Sequence, residues 1–321
     1  MKTIQLLTIF AFWSAQLIAQ NAGVEPDYEH IYKGLEIDSV VVTASRFDVG
    51  DFIQMVENDE TFYLAFANLR KVGYTAQNNI AYYNRKKKQL ASYESQTIQY
   101  IDNKNCRTME IINPKTTGNY YKGRDKKRKE PRFYTSKMYE KLFFTQGKVC
   151  NETQSVKVKK NLTGIDKHIE ELKKLIFKPG SKADVPLIAN RTAVFSKKMS
   201  KYYDYKIQEK TYNGRLCHVF IVEAKPKYKK RRENQTVINY LETYFEKITH
   251  QVVARNYEIE YHGLFDVKVK MDIAVTQLAN GEYIPTQISY DGRWVVPTQK
   301  AENCRFTMQF SQFKVNQIGT D

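Results

Sequence analysis

One segment alternates strictly between apolar and polar positions, and this alternation limits the folds that the chain can adopt. From residue 265 to residue 275 every odd position is apolar, and four of the five even positions are charged. Successive side chains of a β-strand point to opposite faces of a sheet. The segment is therefore predicted to be a strand with one buried face and one wet face.

The neighbouring segments extend this strand into a meander. Residues 257–262 alternate in the same way, and Asn280-Gly281 marks a hairpin, since a type I′ turn needs positive φ at both central residues. A returning strand should then run through Ile284 and Tyr290 to Trp294. We count about seven strands after Tyr205 with no helix between them, which is typical of antiparallel architecture.

The first twenty residues read as a secretory signal peptide, with a basic start at Lys2 and an apolar run from Ile4 to Ile18. The run is shorter than the ~20 residues needed to span a bilayer. We therefore expect an exported protein of the periplasm or cell envelope. Export disfavours nucleic acid as a partner, even though the formal net charge is +16 and aromatic and charged residues interleave.

The remaining chain divides into a mixed helix and strand block, residues 21–150, and a sheet half, residues 151–321. In the first block we predict two short helices within residues 47–71, a basic-tipped hairpin, and a helix capped by Ser136. In the second we predict an amphipathic covering helix, Ile165–Ile176, and a short helix over residues 193–202. The fold class is α+β.

Four cysteines, Cys106, Cys150, Cys217 and Cys304, lack the spacing of a metal site. In an oxidising compartment two disulfides are expected. Four cysteines allow three pairings, and we favour Cys106 with Cys150 and Cys217 with Cys304.

The chain has no catalytic signature. It contains no Gly-x-Ser-x-Gly elbow, no phosphate-binding glycine loop and no His-Glu-x-x-His, and its five histidines do not share ligand spacing. We therefore expect a non-enzymatic protein with no cofactor and no metal.

Two features allow a second interpretation, an interaction module. The basic runs Arg85–Lys88, Arg124–Lys129 and Lys225–Arg232 are either solubilising turns or contacts for an anionic envelope surface. The segment Leu35–Ser45 resembles the TonB box of outer-membrane receptors, although it also fits an ordinary first strand. A disulfide-stapled module could dock on an outer-membrane partner through either feature.

Three segments carry a resemblance to known proteins: the hairpin around Arg215–Val222, the strand at Val252–Arg255 and the return Ile284–Trp294. In these the chain resembles uncharacterised envelope proteins of Bacteroidota, whose strand order is similar to that of periplasmic lipoprotein-carrier (Lol-type) half-barrels. The resemblance implies a large curved antiparallel sheet, a half-barrel, whose apolar face shelters a lipid or lipoprotein acyl chain.

The residues expected to contact such a ligand are Phe265, Val267, Val269, Met271, Ile288, Tyr290 and Trp294. The same residues could instead form a filled core beneath Ile165–Ile176. The sequence leaves these two alternatives open.

Overall fold

The structure of the chain is a computed structural model that describes residues 49–123, 130–150, 180, 189–229, 235–262, 266–295 and 299–315. The helices of these ranges are α1 Val49–Asn58, α2 Thr61–Asn68, α3 Tyr134–Phe143 and the single turn α4 Ala189–Thr192. The strands are β1 Gly73–Tyr83, β2 Gln89–Ile101, β3 Arg107–Gly118, β4 Tyr203–Tyr212, β5 Arg215–Ala224, β6 Ile238–Glu246, β7 Val252–His262, β8 Asp266–Gln277, β9 Tyr283–Val295 and β10 Glu302–Lys314.

All ten of these strands join one curved antiparallel sheet. Its order is β3-β2-β1-β10-β9-β8-β7-β6-β5-β4, so that β3 and β4 form the two edges and the sheet is unclosed. Strands β4 to β10 follow one another as neighbours, which confirms the predicted seven-stranded meander. The predicted α+β half-barrel class is confirmed.

The first three strands extend the same sheet. β1 pairs with β10 from Gly73 opposite Lys314 to Tyr83 opposite Asn303. Strands from the 21–150 segment and the 151–321 segment therefore share one hydrogen-bonded sheet. The division into two units at residue 150 stays a prediction.

The alternation of β8 is visible in its burial. Val267, Val269 and Met271 are buried, whereas Lys268 and Lys270 between them are exposed. We call the face that carries the buried valines the inner face, and the face with the lysines the outer face. The inner face contains the larger of the two hydrophobic clusters of the described residues.

Two Asn-Gly pairs form hairpins of different geometry. Asn213 and Gly214 have φ values of 48° and 76°, as a two-residue type I′ turn requires. At Asn280-Gly281 only the glycine has positive φ, 84°, and its N–H bonds to the carbonyl of Leu278. The type I′ geometry expected there is wrong, because the connection between β8 and β9 is longer and needs just one left-handed residue.

The predicted cysteine pairs have different outcomes. Cys106 and Cys150 form a disulfide, as expected. The second pairing is wrong, since Cys217 and Cys304 are both buried free thiols. Cys217 lies on β5 in the outer-face cluster and Cys304 on β10 in the inner-face cluster, several strands apart. Burial raises the pKa of the Cys217 thiol to about 11 and that of Cys304 to about 12.

The helix predictions are confirmed in part. The two short helices within residues 47–71 are α1 and α2. Residues 193–202 do not form the predicted helix, and contain turns ending in a 3₁₀ turn, Ser200–Tyr202. Val194 and Met199 are buried there, and a spacing of five does not place two side chains on one helical face. None of the helices in the described ranges has the length and apolarity to cross a bilayer.

Several predicted features lie outside the described residues. These are the signal peptide, Leu35–Ser45, Arg124–Lys129 and the covering helix Ile165–Ile176.

Candidate functional site

The structure places six of the seven predicted ligand-contacting residues together. Val267, Val269 and Met271 lie on β8 and Ile288, Tyr290 and Trp294 on β9, all buried in the inner-face cluster. Phe265 is outside the described residues. The register explains the grouping, because Val267 pairs with Trp294 and Met271 pairs with Tyr290.

Tyr290 lies along its own strand over Gly292. A Cβ atom at residue 292 would come within 2.1 Å of the Tyr290 hydroxyl oxygen, so only glycine leaves room for the ring. The Trp294 indole N–H donates to the Tyr290 hydroxyl. The Tyr290 ring stacks on the ring of Phe306, with 4.6 Å between centroids. Asp291-Gly292 is therefore an uninterrupted part of β9, held by a packed aromatic side chain.

A second tyrosine hydroxyl of the inner face also has its hydrogen-bond partner within the face. The Tyr257 hydroxyl donates to the Met271 sulfur at 2.9 Å, and burial raises the pKa of this tyrosine well above its ordinary value. With Tyr290 and Trp294 also paired to each other, this part of the inner face presents rings and alkyl groups. The burial of apolar surface area, which is non-directional, therefore stabilises the packing at this part of the face.

The sequence analysis missed a charge inside this face. Arg255 occupies the apolar register of β7, two residues before Tyr257, and its side chain is 3% exposed. Its guanidinium pairs with Asp59 at 3.1 Å, donates from Nε to the Thr243 hydroxyl at 3.2 Å and lies 4.5 Å from the Phe62 ring centroid. Burial lowers the pKa of Arg255, and Asp59 offsets part of the shift.

This ion pair fixes the turn between α1 and α2 on the sheet. The signal that could have revealed it is a charged residue in the apolar register of a strand, which must find a buried partner. Nearby, Phe52 of α1 stacks on Phe220 of β5 at 5.6 Å, and the Asn68 amide of α2 donates to the carbonyl of Tyr283 at 2.9 Å. Both helices therefore cover the inner face.

Helix α3 covers the inner face near β1 and β10. It begins at Tyr134, and its first N–H groups are capped by the Glu302 carboxylate, which accepts from Tyr134 N at 2.7 Å and Thr135 N at 3.0 Å. The predicted cap at Ser136 is wrong, because Ser136 lies inside the helix, where its hydroxyl contacts the Tyr82 hydroxyl at 2.6 Å. Glu302 pairs with Trp294 across the sheet, so the cap adjoins the predicted ligand-contacting residues.

Two of the three basic runs are described, one of them in part. Arg85–Lys88 is an exposed tip of the β1–β2 hairpin, and Lys229 of the Lys225–Arg232 run pairs with Glu223 at 3.0 Å. Within the described ranges no group of three or more His, Cys, Asp and Glu side chains could hold a metal ion.

The fold and this face define a helix-covered antiparallel half-barrel with an apolar inner surface. No protein-family model matches the chain. No curated protein matches it either. Among solved structures it is similar to a domain from Vibrio parahaemolyticus described as an outer membrane lipoprotein-sorting protein domain. That match has 8% identity and a TM-score of 0.27, over 84% of this chain and 92% of the other.

A second similar structure is a DUF1329 family protein from Desulfovibrio piger. It is 12% identical with a TM-score of 0.23, over 82% of this chain and 96% of the other.

Proposed function

We propose that this chain is an exported, non-enzymatic binding protein of the cell envelope that holds the acyl chain of a lipid or lipoprotein against the inner face of its sheet. The observation that carries the proposal is the internal pairing of polar atoms on that face. Trp294 donates to Tyr290 and Tyr257 donates to Met271, so that the surface offers an incoming ligand contact area and little direction. A ligand gains from such a surface by burying methylene groups, at about 0.8 kcal/mol each.

The way in which the helices are held over the inner face is consistent with this function. Polar contacts hold the covering helices on the sheet: Asp59 before α2 pairs with Arg255 of β7, and Asn68 of α2 donates to the carbonyl of Tyr283 on β9. Glu302 of β10 caps the start of α3. An acyl chain would reach Met271 and Tyr290, which are buried, by displacing part of the cover. The disulfide between Cys106 and Cys150 supports export, since such bonds persist in oxidising compartments.

Lipid analysis of the mature protein tests the proposal. Residues 21–321, without the predicted signal peptide, are purified without detergent and extracted with organic solvent, and the extract is examined by mass spectrometry for acyl lipids. A fluorescent long-chain fatty acid is titrated in parallel. We expect bound acyl lipid and saturable binding of the probe. If neither is observed, the proposal is wrong.

A matched pair of variants localises the binding. Met271→Trp adds bulk on the inner face and should reduce fatty-acid binding, whereas Lys268→Trp adds the same side chain on the outer face of the same strand. Overpacking a filled core typically costs ~1–3 kcal/mol, so the melting temperature of each variant is measured as well. Equal fatty-acid binding by both variants would contradict binding at this face.

A further inference from the structure

The pairing of the strands brings several basic stretches to one end of the sheet. Each strand is antiparallel to its neighbours, so the connections from β1 to β2, from β5 to β6 and from β9 to β10 lie at the same end. The start of β4, which follows Lys201, lies there as well, because Tyr203 pairs with Ala224. We call this end the basic rim and define it by four parts: Arg85–Lys88, Lys201, Lys225–Lys229 and Lys300.

The turn between β1 and β2 presents four cationic side chains to solvent. All four residues of Arg85–Lys88 are exposed, and none pairs with a carboxylate of the described residues. The Asn84 side-chain oxygen accepts from the backbone N–H groups of Lys86 at 2.8 Å and Lys88 at 3.0 Å, which fixes the turn. Lys87 has a φ of 61°, in the left-handed region that favours glycine. The turn therefore carries a charge at a position where glycine would relieve backbone strain, and such strain often accompanies function.

A second group of rim lysines lies beside tyrosine rings. The rings of Tyr202 and Tyr228 contact each other edge to face, with centroids 4.7 Å apart. Lys201 Nζ lies 5.0 Å from the centroid of the Tyr202 ring. Lys227 Nζ lies 4.7 Å from the centroid of the Tyr228 ring. Tyrosine rings beside lysines are typical of the membrane–water interface, where the ring lies at the level of the headgroups and the ammonium group stays in water.

Carboxylates neutralise only part of the basic rim. Glu223 pairs with Lys229 at 3.0 Å. Asp204 lies 3.9 Å from Lys225. Lys300 is exposed and, like the turn from β1 to β2, pairs with no carboxylate in the described part of the chain. The rim therefore keeps a surplus of positive charge.

The opposite end of the sheet is more evenly balanced. Three lysines there have carboxylate partners: Lys71 with Glu282, Lys148 with Asp102, and Lys247 with Glu209. Lys104 and Lys314 are exposed at this end without an ion-pair partner among the described residues. These two lysines provide a control for charge that lies outside the basic rim.

The spread of the charges selects the kind of partner. Strands β1 and β6 are five positions apart in the sheet, about 24 Å along it at ~4.8 Å for each position. A free phosphate ion is too small to contact both parts of the rim, whereas an extended anionic surface contacts them together. The rim also adjoins the inner face, since Trp294 pairs with Glu302 at this end.

We propose that the basic rim binds the surface of an anionic phospholipid bilayer. Headgroup phosphates contact the exposed cations of Arg85–Lys88, Lys201, Lys227 and Lys300, and the rings of Tyr202 and Tyr228 lie at the level of the headgroups. This contact does not depend on the binding of an acyl chain at the inner face. Vesicle binding and fatty-acid binding are measured separately, so that either proposal can fail alone.

Flotation with lipid vesicles tests the assignment on residues 21–321. One set of vesicles contains phosphatidylcholine alone, and the other contains equal parts of phosphatidylcholine and phosphatidylglycerol. We expect binding to the anionic vesicles in about 0.1 M salt and release in about 1 M salt, because the screening length falls from ~10 Å to ~3 Å. Equal binding to both sets, or binding to neither, would overturn the proposal. Binding to polyglutamate but not to anionic vesicles would also overturn it, and would identify an acidic protein surface as the partner.

Two double variants distinguish the rim from the overall charge of the protein. Lys86→Gln/Lys88→Gln should weaken binding to anionic vesicles about 25-fold, since each lysine near an anionic membrane contributes a factor of about five. Lys104→Gln/Lys314→Gln removes the same charge at the opposite end and should retain most of the wild-type affinity. All four lysines are exposed, so the melting temperatures should match that of the wild type. Equal losses of vesicle affinity in the two variants would show that net charge alone attracts the membrane, and the proposal would be wrong.

A third double variant tests the other part of the rim. Lys201→Gln/Lys227→Gln removes the cations beside Tyr202 and Tyr228 and should also weaken binding to anionic vesicles, whereas fatty-acid binding in solution should not change. Wild-type vesicle affinity in this variant would contradict a contact that extends along the whole rim.

Discussion

Arg255 and Asp59 show how one buried pair can hold a helical cover on a sheet. Taking two charges out of water is costly, and removing one partner leaves the other unpaired in an apolar surround. Asp59→Ala should therefore lower the free energy of unfolding by about 3–5 kcal/mol. The double variant Asp59→Leu/Arg255→Met should recover most of the loss. Urea denaturation monitored by circular dichroism measures both.

The outer surface offers a control of the same chemistry. Arg305 and Asp291 pair at 2.8 Å with side chains 41% and 42% exposed. Asp291→Ala should cost less than ~1 kcal/mol, because exposed ion pairs are screened by water and salt. If Asp59→Ala costs no more than Asp291→Ala, the buried pair does not anchor the helices.

Glu140 on α3 gives the fold a pH dependence. Burial raises the pKa of its carboxyl from 4.5 to about 7. Between these values the folded state binds more protons than the unfolded state, so the free energy of unfolding falls as pH rises from about 4.5 through 7. Above pH 7 the free energy of unfolding has lost the whole of this contribution.

Glu140→Gln removes the ionised form. At pH 8 the variant should be more stable than wild type by about 1–2 kcal/mol, a value reduced from the full shift because the side chain is partly exposed to solvent. At pH 4 the two should agree. Chemical denaturation across this range measures the difference, with the exposed Glu94→Gln as control. A difference that does not change with pH would exclude Glu140 as the titrating group.

At the scale of single elements, helix α3 depends on a distant strand. Glu302 of β10 supplies the N-terminal cap of the helix through both carboxylate oxygens. Glu302→Ala should lower the free energy of unfolding by ~1–2 kcal/mol, the usual cost of losing a cap. Hydrogen exchange should rise within Tyr134–Phe143 while the distant hairpin β4–β5 stays protected. Uniform exchange across the chain would contradict a local role.

Local signals explain which elements could be predicted from the sequence. The alternation of β8 and the Asn213-Gly214 turn depend on neighbouring residues, and both are confirmed. The cap of α3 depends on a residue more than 160 positions away, and nothing near Ser136 reveals it. Arg255 was detectable as a charge in an apolar register, but its partner Asp59 was not.

At the scale of the whole molecule, the order of strands in the sequence predicted the meander of β4 to β10. It did not predict which strand pairs with the free edge of β10. Strand β10 pairs with β1, the first strand of the described residues, which brings Gly73 opposite Lys314. Such long-range pairing leaves no periodic signal, because each strand shows only which face is buried. The second disulfide prediction was wrong for a related reason, since Cys217 and Cys304 lie on opposite faces.

The pairing of β1 with β10 predicts how residues 151–321 behave when they are separated from residues 21–150. A fragment of residues 151–321 would lack β1, and the N–H and C=O groups of β10 that now pair from Asn303 to Lys314 would form an open edge. It would also lack α1, α2 and α3, which cover the inner face. Open edges and exposed apolar faces promote association between chains.

We therefore expect the 151–321 fragment to associate and to bind a hydrophobic dye, whereas the full chain does neither. Size-exclusion chromatography with light scattering and dye fluorescence measures this. Adding separately expressed residues 21–150 should reduce both effects, because β1 would then cover the edge of β10. A monomeric fragment with no dye binding would instead establish residues 151–321 as an independent domain, and the strands before residue 150 as an addition to it.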